Sequence, residues 1–256
     1  MAVLNARAGT LGLKIVYVGA AYSGKTTNLV HLHRTLPVDR RGRLTSLTGD
    51  GERTLFFDFM AFELGVIAGL KTHFHLYTVP GQPELVASRR AVLRGADALV
   101  CVVDSQASRL AENRHALADV DAALEALGPE QTAIPRVYQF NKRDLDDAMA
   151  LTELDRELNP KRWPAFPAKA VEGEGVKDCL QAIFKLSIAH IGRARPAAAA
   201  AAAARPATSA GAVGGPATAA PAEGVRPRSP LAGPGRPPAK PRPAANGRPL
   251  WTRSPA

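Results

Sequence analysis

The chain has 256 residues and a formal net charge of +10 at pH 7. Ten of its 33 basic residues but only one of its 23 acidic ones, Glu223, stand at or beyond Arg193, so residues 1–192 are close to neutral. That split argues against a nucleic-acid surface on the folded part. No apolar run approaches the ~20 residues that span a bilayer.

The first predicted strand, residues 14–18, runs into Gly19-Ala20-Ala21-Tyr22-Ser23-Gly24-Lys25-Thr26. A helix is predicted over residues 26–36, with Leu29, Leu32 and Leu36 at helical spacing. Gly-x-x-x-x-Gly-Lys-Thr between a strand and a helix is a phosphate-binding loop. Backbone N–H groups at Gly19, Ala20, Ala21, Ser23, Gly24 and Thr27 cradle phosphate oxygens, helped by the positive end of the helix. Lys25 reaches the β and γ phosphates, and Thr26 offers its hydroxyl to Mg²⁺. The ligand class is a nucleoside triphosphate with magnesium.

A second strand is predicted over residues 54–59. Thr54 is a second candidate hydroxyl for Mg²⁺, and Arg53 a candidate for stabilising charge on the γ-phosphoryl oxygens. A third strand, residues 72–79, ends in Thr78-Val79-Pro80-Gly81-Gln82. There the Gly81 N–H can bond the γ-phosphate and Gln82 can orient the attacking water. His73 and His75 on this strand read as structural or surface histidines, since no further metal ligand stands nearby. A helix follows over residues 83–93.

The run Ala98-Leu99-Val100-Cys101-Val102-Val103 reads as a central parallel strand, residues 98–104, buried on both faces. Cys101 belongs to that packing. A helix over residues 107–127 leads to a strand over residues 136–140 and then Asn141-Lys142-Arg143-Asp144. A carboxylate at a strand end accepts two hydrogen bonds from guanine, which presents an N–H beside an amino group; adenine does not. Asp144 is thus the candidate discriminator, Asn141 the link to the base and the phosphate loop, and Lys142 a stem over the base plane. A helix over residues 151–158 and a strand over residues 165–168 precede Lys169-Ala170, where a backbone N–H can approach the guanine oxygen. The last helix is expected over residues 175–191.

Strand–helix alternation gives an α/β fold: a mostly parallel six-stranded sheet with helices on both faces, in three layers. Ligands in such folds sit outside the carboxyl ends of the strands, where every motif above falls. The domain is expected to span residues 1–192. Residues 193–256, rich in Ala, Pro, Gly and Arg, are expected to be a disordered basic tail, read first as a charged spacer; charge-driven contact with an acidic partner, nucleic acid or an anionic membrane surface, and docking of a polyproline segment in an aromatic groove, stay open. Neither terminus carries a secretion or prenylation pattern, so no covalent membrane anchor is expected. Two cysteines without a framework suit the cytoplasm.

These stretches resemble a known family, the small Ras-like GTPases of the bacterial MglA (mutual gliding motility) group. The likeness lies in Lys14-Ile15-Val16-Tyr17, Gly24-Lys25-Thr26-Thr27-Asn28-Leu29, Arg53-Thr54-Leu55-Phe56-Phe57-Asp58-Phe59, Phe74-His75-Leu76-Tyr77-Thr78-Val79-Pro80-Gly81-Gln82 and Asn141-Lys142-Arg143-Asp144-Leu145. It covers residues 10–192 and implies a GTP/GDP switch with a P-loop GTPase fold. The GTP form would recruit polarity or motility effectors at a cell pole, and a roadblock-type protein, MglB, would act as the activating partner. The likeness also implies a catalytic arginine at Arg53, a water-orienting glutamine at Gln82, and a threonine, Thr78, where most Ras-like proteins carry a magnesium-supporting aspartate. Relatives have glycine where this chain has Ala21, and a methyl there intrudes toward the γ-phosphate. Two functions compete: a GTP-hydrolysing switch, and a hydrolysis-poor, GTP-loaded scaffold. Asn141 and Asp144 argue against a third, an ATP-dependent phosphotransferase.

Overall fold

Apolar side chains alternate along residues 10–18 and send Leu13, Ile15 and Tyr17 to one face of the sheet and Val16 and Val18 to the other. The computed structural model describes residues 3–5, 9–47, 57–67, 69–82 and 85–203, all within the unit Met1–Pro206. Chain order is β1 (Val3–Asn5), β2 (Thr10–Val18), α1 (Lys25–Thr35), β3 (Thr45–Leu47), β4 (Phe57–Ile67), β5 (Leu70–Thr78), α2 (Val86–Leu93) and β6 (Ala98–Asp104). Then come α3 (Leu110–Glu125), α4 (Pro129–Thr132), β7 (Arg136–Asn141), α5 (Leu151–Leu158), β8 (Ala165–Pro167) and α6 (Val176–Ala203).

Among the described residues the sheet has eight strands, not six, in the order β3-β4-β5-β2-β6-β7-β8, with β1 beside β2. The two extra strands, β1 and β3, are three residues each, too short for a periodic signal. Pairing is parallel for β2–β5, β2–β6, β6–β7 and β7–β8 and antiparallel for β1–β2, β3–β4 and β4–β5. The sheet is thus parallel across its centre and one flank, and antiparallel on the other. β4 and β5 form a long hairpin with a register shift between Glu63 and Gly65.

All seven residues of β6 are buried, as a strand covered on both faces requires. Each large apolar side chain placed there contributes about 1.5–3 kcal/mol. One face packs on α1 and α6 through Leu29, Leu32, Leu180, Ile183 and Phe184. The other packs on α2, α3 and α5 through Leu93, Val120, Leu124 and Leu154. Cys101 is wholly enclosed, and burial pushes its thiol up to about 12.

Several boundaries differ from expectation. The helix expected over residues 107–127 opens as a 3₁₀ turn, Ala107–Arg109, before α3 begins. The strand expected over residues 54–59 is seen as Phe57–Ile67, with Arg53 and Thr54 outside the described residues. The last helix runs on past Ile191 through Pro196 to Ala203; alanine is the best helix former, and the run that begins at Ala197 continues the helix. No described helix is long and apolar enough to cross a membrane.

Candidate functional site

The parallel strands β2, β5, β6, β7 and β8 end at one edge of the sheet, and the expected motifs follow those ends. After β2 the backbone turns through positive φ at Gly19, Tyr22 and Gly24 (139°, 63° and 104°). Such alternation turns successive N–H groups inward to form an anion cradle. Gly24 has a packing reason too: a Cβ there would strike the amide nitrogen of Asn141.

Lys25 opens α1 and is buried. Its Nζ donates to the carbonyls of Gly19 at 3.0 Å and Ala20 at 2.6 Å. Its pKa falls to about 8, first because burial penalises the ammonium, then through the charge of Arg89, with Asp58 opposing both. Phosphate oxygens would restore what burial removes. Thr26 is exposed and Thr27 half-exposed at the mouth of the cradle.

Asp58 of β4 is the centre that sequence reasoning missed. Thr26 Oγ1 donates to its Oδ2 at 2.6 Å, and Ser46 of β3 donates to its Oδ1 at 2.7 Å. Thr78 at the end of β5 donates to Oδ2 at 3.1 Å and accepts from the Asp58 N–H at 2.8 Å. Three hydroxyls on one carboxylate make a hard-oxygen cluster, the donor set that suits Mg²⁺. Among the described residues no group of three His, Cys, Asp or Glu gathers. His75 stacks near Phe59, ring centroids 5.9 Å apart, and burial lowers its pKa. The signal that could have found Asp58 is Thr78, a hydroxyl where the resemblance implies a magnesium-supporting aspartate, which meets Asp58 on the neighbouring strand.

Gly81 lies so close to the loop that an added Cβ would collide with the Ala20–Ala21 backbone. Gln82 is exposed beside it. A cavity of about 420 Å³ opens between the phosphate loop, Asp58 and Thr78 to Gln82, a size that suits a small ligand.

At the other end, Asn141 joins two loops. Its Nδ2 donates to the Ser23 carbonyl at 2.8 Å, and its Oδ1 accepts the Ala170 N–H at 2.9 Å. Lys142 adopts φ 64° and pairs with Asp104 Oδ2 at 2.6 Å, a second carboxylate the sequence reading did not single out. Asp104 is 1% exposed. The Lys169 ammonium faces Glu174 at 3.0 Å, which raises its pKa. Asp144 is exposed and has no hydrogen bond among the described residues. The structure therefore gathers Asn141, Lys142, Ala170 and the phosphate loop at one edge.

Comparison with known proteins gives the family. The sequence profile of the ADP-ribosylation factor family matches residues 2–187. The mutual gliding-motility protein MglA of Myxococcus xanthus is 41% identical over 191 residues, 75% of this chain and 98% of that protein. Human ADP-ribosylation factor-like protein 4A is 28% identical over 122 residues, 45% of this chain and 58% of that protein. This chain belongs to the MglA-like small GTPases of the ADP-ribosylation factor family, enzymes that hydrolyse GTP.

Proposed function

We propose that the chain is a GTP/GDP switch that reads guanine through Asp144 and holds the triphosphate on residues 19–27. The observation that carries the reading is Asn141: one amide ties the phosphate loop to the loop of Ala170, so base and phosphates are held at a fixed separation while the Asp144 carboxylate stays free. Magnesium fits the Thr26–Asp58 pair, with Ser46 and Thr78 orienting the carboxylate; Thr54 lies outside the described residues and stays a candidate. Held there, the ion would supply positive charge to offset that of the triphosphate. Lys25 holds the β and γ phosphates, the Gly81 N–H meets the γ-phosphate, and Gln82 orients water. Arg53, also outside the described residues, is the candidate for charge stabilisation in the transition state.

Loss of the γ-phosphate would release Gly81 and the segment that follows, ending effector recruitment. By likeness to the Myxococcus protein, the process is polarity or gliding motility, with an MglB-like roadblock protein as activator and a cytoplasmic protein recruited to a pole. The second reading, a hydrolysis-poor scaffold, draws support from the contact of Gly81 with the loop that carries the Ala21 methyl. One experiment separates them: identify the nucleotide that copurifies, then follow phosphate release with and without an MglB-like protein. GDP on the protein and stimulated release support the switch. GTP retained without stimulation supports the scaffold, and absence of any guanine nucleotide sinks both.

A further inference from the structure

Arg89 is a buried cation whose charge is felt at Lys25 but whose hydrogen bonds go to Asp119 and Gln82 and not to the phosphate loop. It stands on α2, seven residues beyond Gln82, and is 3% exposed. Its Nη1 donates to Asp119 Oδ2 on α3 at 2.7 Å, and its Nη2 donates to the backbone carbonyl of Gln82 at 2.9 Å. The same carbonyl accepts the Leu85 N–H at 3.3 Å. His115 Nε2, exposed on α3, also lies 3.9 Å from the Asp119 carboxylate.

Taking a guanidinium out of water is costly even beside a partly exposed carboxylate, so a pair of this kind is weak evidence for stability and better evidence for a fixed conformation. The fork matters: two nitrogens of a rigid plane serve two acceptors at a set spacing, which an ammonium cannot copy. α3 is a firm post, since Leu117, Val120 and Leu124 lie in the core. The pair therefore links a rigid helix to the backbone of the residue whose side chain is to reach water. A simple staple between α2 and α3 would need Asp119 alone; the arm on the Gln82 carbonyl is the additional feature.

We propose that Arg89 is a positioning residue for GTP hydrolysis, rooting the backbone of Gln82 to α3 through Asp119. The inference rests on the water-orienting reading of Gln82. A side chain swinging from a fixed root spends more of its time in reach of the reacting water, and small misplacements at such sites cost large factors in rate.

The test uses the full chain loaded with GTP and follows single-turnover hydrolysis for Gln82→Ala, Asp119→Asn, Arg89→Lys and the double variant Gln82→Ala/Asp119→Asn. Asp119→Asn keeps shape at a partly exposed position, so it reports even if Arg89→Lys folds poorly. The expected result is a loss of about 10²-fold for Gln82→Ala and about tenfold for Asp119→Asn, with GTP affinity within about threefold of the parent. In the double variant the Asp119 effect should vanish, because the two act through one group. Equal slowing by Asp119→Asn with or without Gln82 would mark a mere staple and overturn the inference. Parent-like hydrolysis by Asp119→Asn and Arg89→Lys, beside a slow Gln82→Ala, would also overturn it and leave the Gln82 reading standing. Parent-like hydrolysis by Gln82→Ala would remove that reading and the inference with it.

Discussion

At the base end of the cleft, Asn141 is held by two backbone partners and Lys142 by a buried carboxylate. At the phosphate end, hydroxyls from α1, β3 and β5 converge on Asp58, and Gln82 hangs from a carbonyl gripped by Arg89. The base end grows from β6 and β7, which are buried along their whole length. The phosphate loop itself follows the central strand β2, but the Asp58 cluster and the Gly81–Gln82 turn grow from the flank of β3, β4 and β5, where β5 alternates between buried and partly exposed residues. Strands enclosed on both faces resist local opening, and half-covered ones less so. On the proposed reading, selectivity would sit on the stiffer half of the sheet and switching on the half with more freedom.

The sharpest way to break that contrast is Asp144→Ala. The side chain is exposed and carries no structural hydrogen bond among the described residues, so stability should hold within about 0.5 kcal/mol. If base reading is concentrated there, GTP affinity should fall by about 10³-fold or more and the preference for GTP over ATP should vanish, as expected when a polar discriminator is lost. Competition binding with both nucleotides measures this directly. A variant that still prefers GTP would mean that the backbone around Lys169 and Ala170 carries the discrimination instead.

Asp58→Asn addresses the other end. Asparagine keeps the size and one acceptor oxygen but removes the charge at the centre of three hydroxyls. Magnesium affinity in the GTP complex should fall by about 10–100-fold, while GDP binding in a chelator should stay close to that of the parent. Titrating magnesium against bound fluorescent nucleotide separates the two. Equal losses with and without the ion would make Asp58 a packing residue for the phosphate loop rather than a metal support.

The same contrast explains what could be read from the chain. The candidate base end was legible because its residues sit in one short motif, Asn141 to Asp144, directly behind a predicted strand. The phosphate loop was legible for the same reason. Asp58, Ser46, Asp104, Arg89 and Asp119 were not, because each acts through a partner far away in sequence: 32 positions separate Thr26 from Asp58 and 30 separate Arg89 from Asp119. Strand register sets those meetings, and periodicity does not reveal register across a hairpin. The short strands β1 and β3 escaped because three residues are too few to show alternation.

Ala21 offers the finest test, with the smallest effect. Its φ is not positive, so the methyl costs no backbone strain; what it costs is room. Gly81 already approaches the Ala20–Ala21 peptide too closely for a Cβ, and on the other side Arg109 Nη2 donates to the Ala21 carbonyl at 3.2 Å while its Nη1 holds Glu112 at 2.9 Å. The loop is therefore clasped between two contacts and has little freedom to carry the methyl away from the γ-phosphate. Ala21→Gly should speed partner-stimulated hydrolysis by roughly three- to tenfold without altering the preference for GTP, an effect of about 1 kcal/mol on the barrier. Arg109→Ala should recover part of that gain with Ala21 in place, by letting the peptide shift. Unchanged stimulated turnover in Ala21→Gly would show that the methyl is accommodated and that the phosphate end tolerates more than its packing suggests. A gain from Ala21→Gly with none from Arg109→Ala would locate the obstruction on the Gly81 side alone.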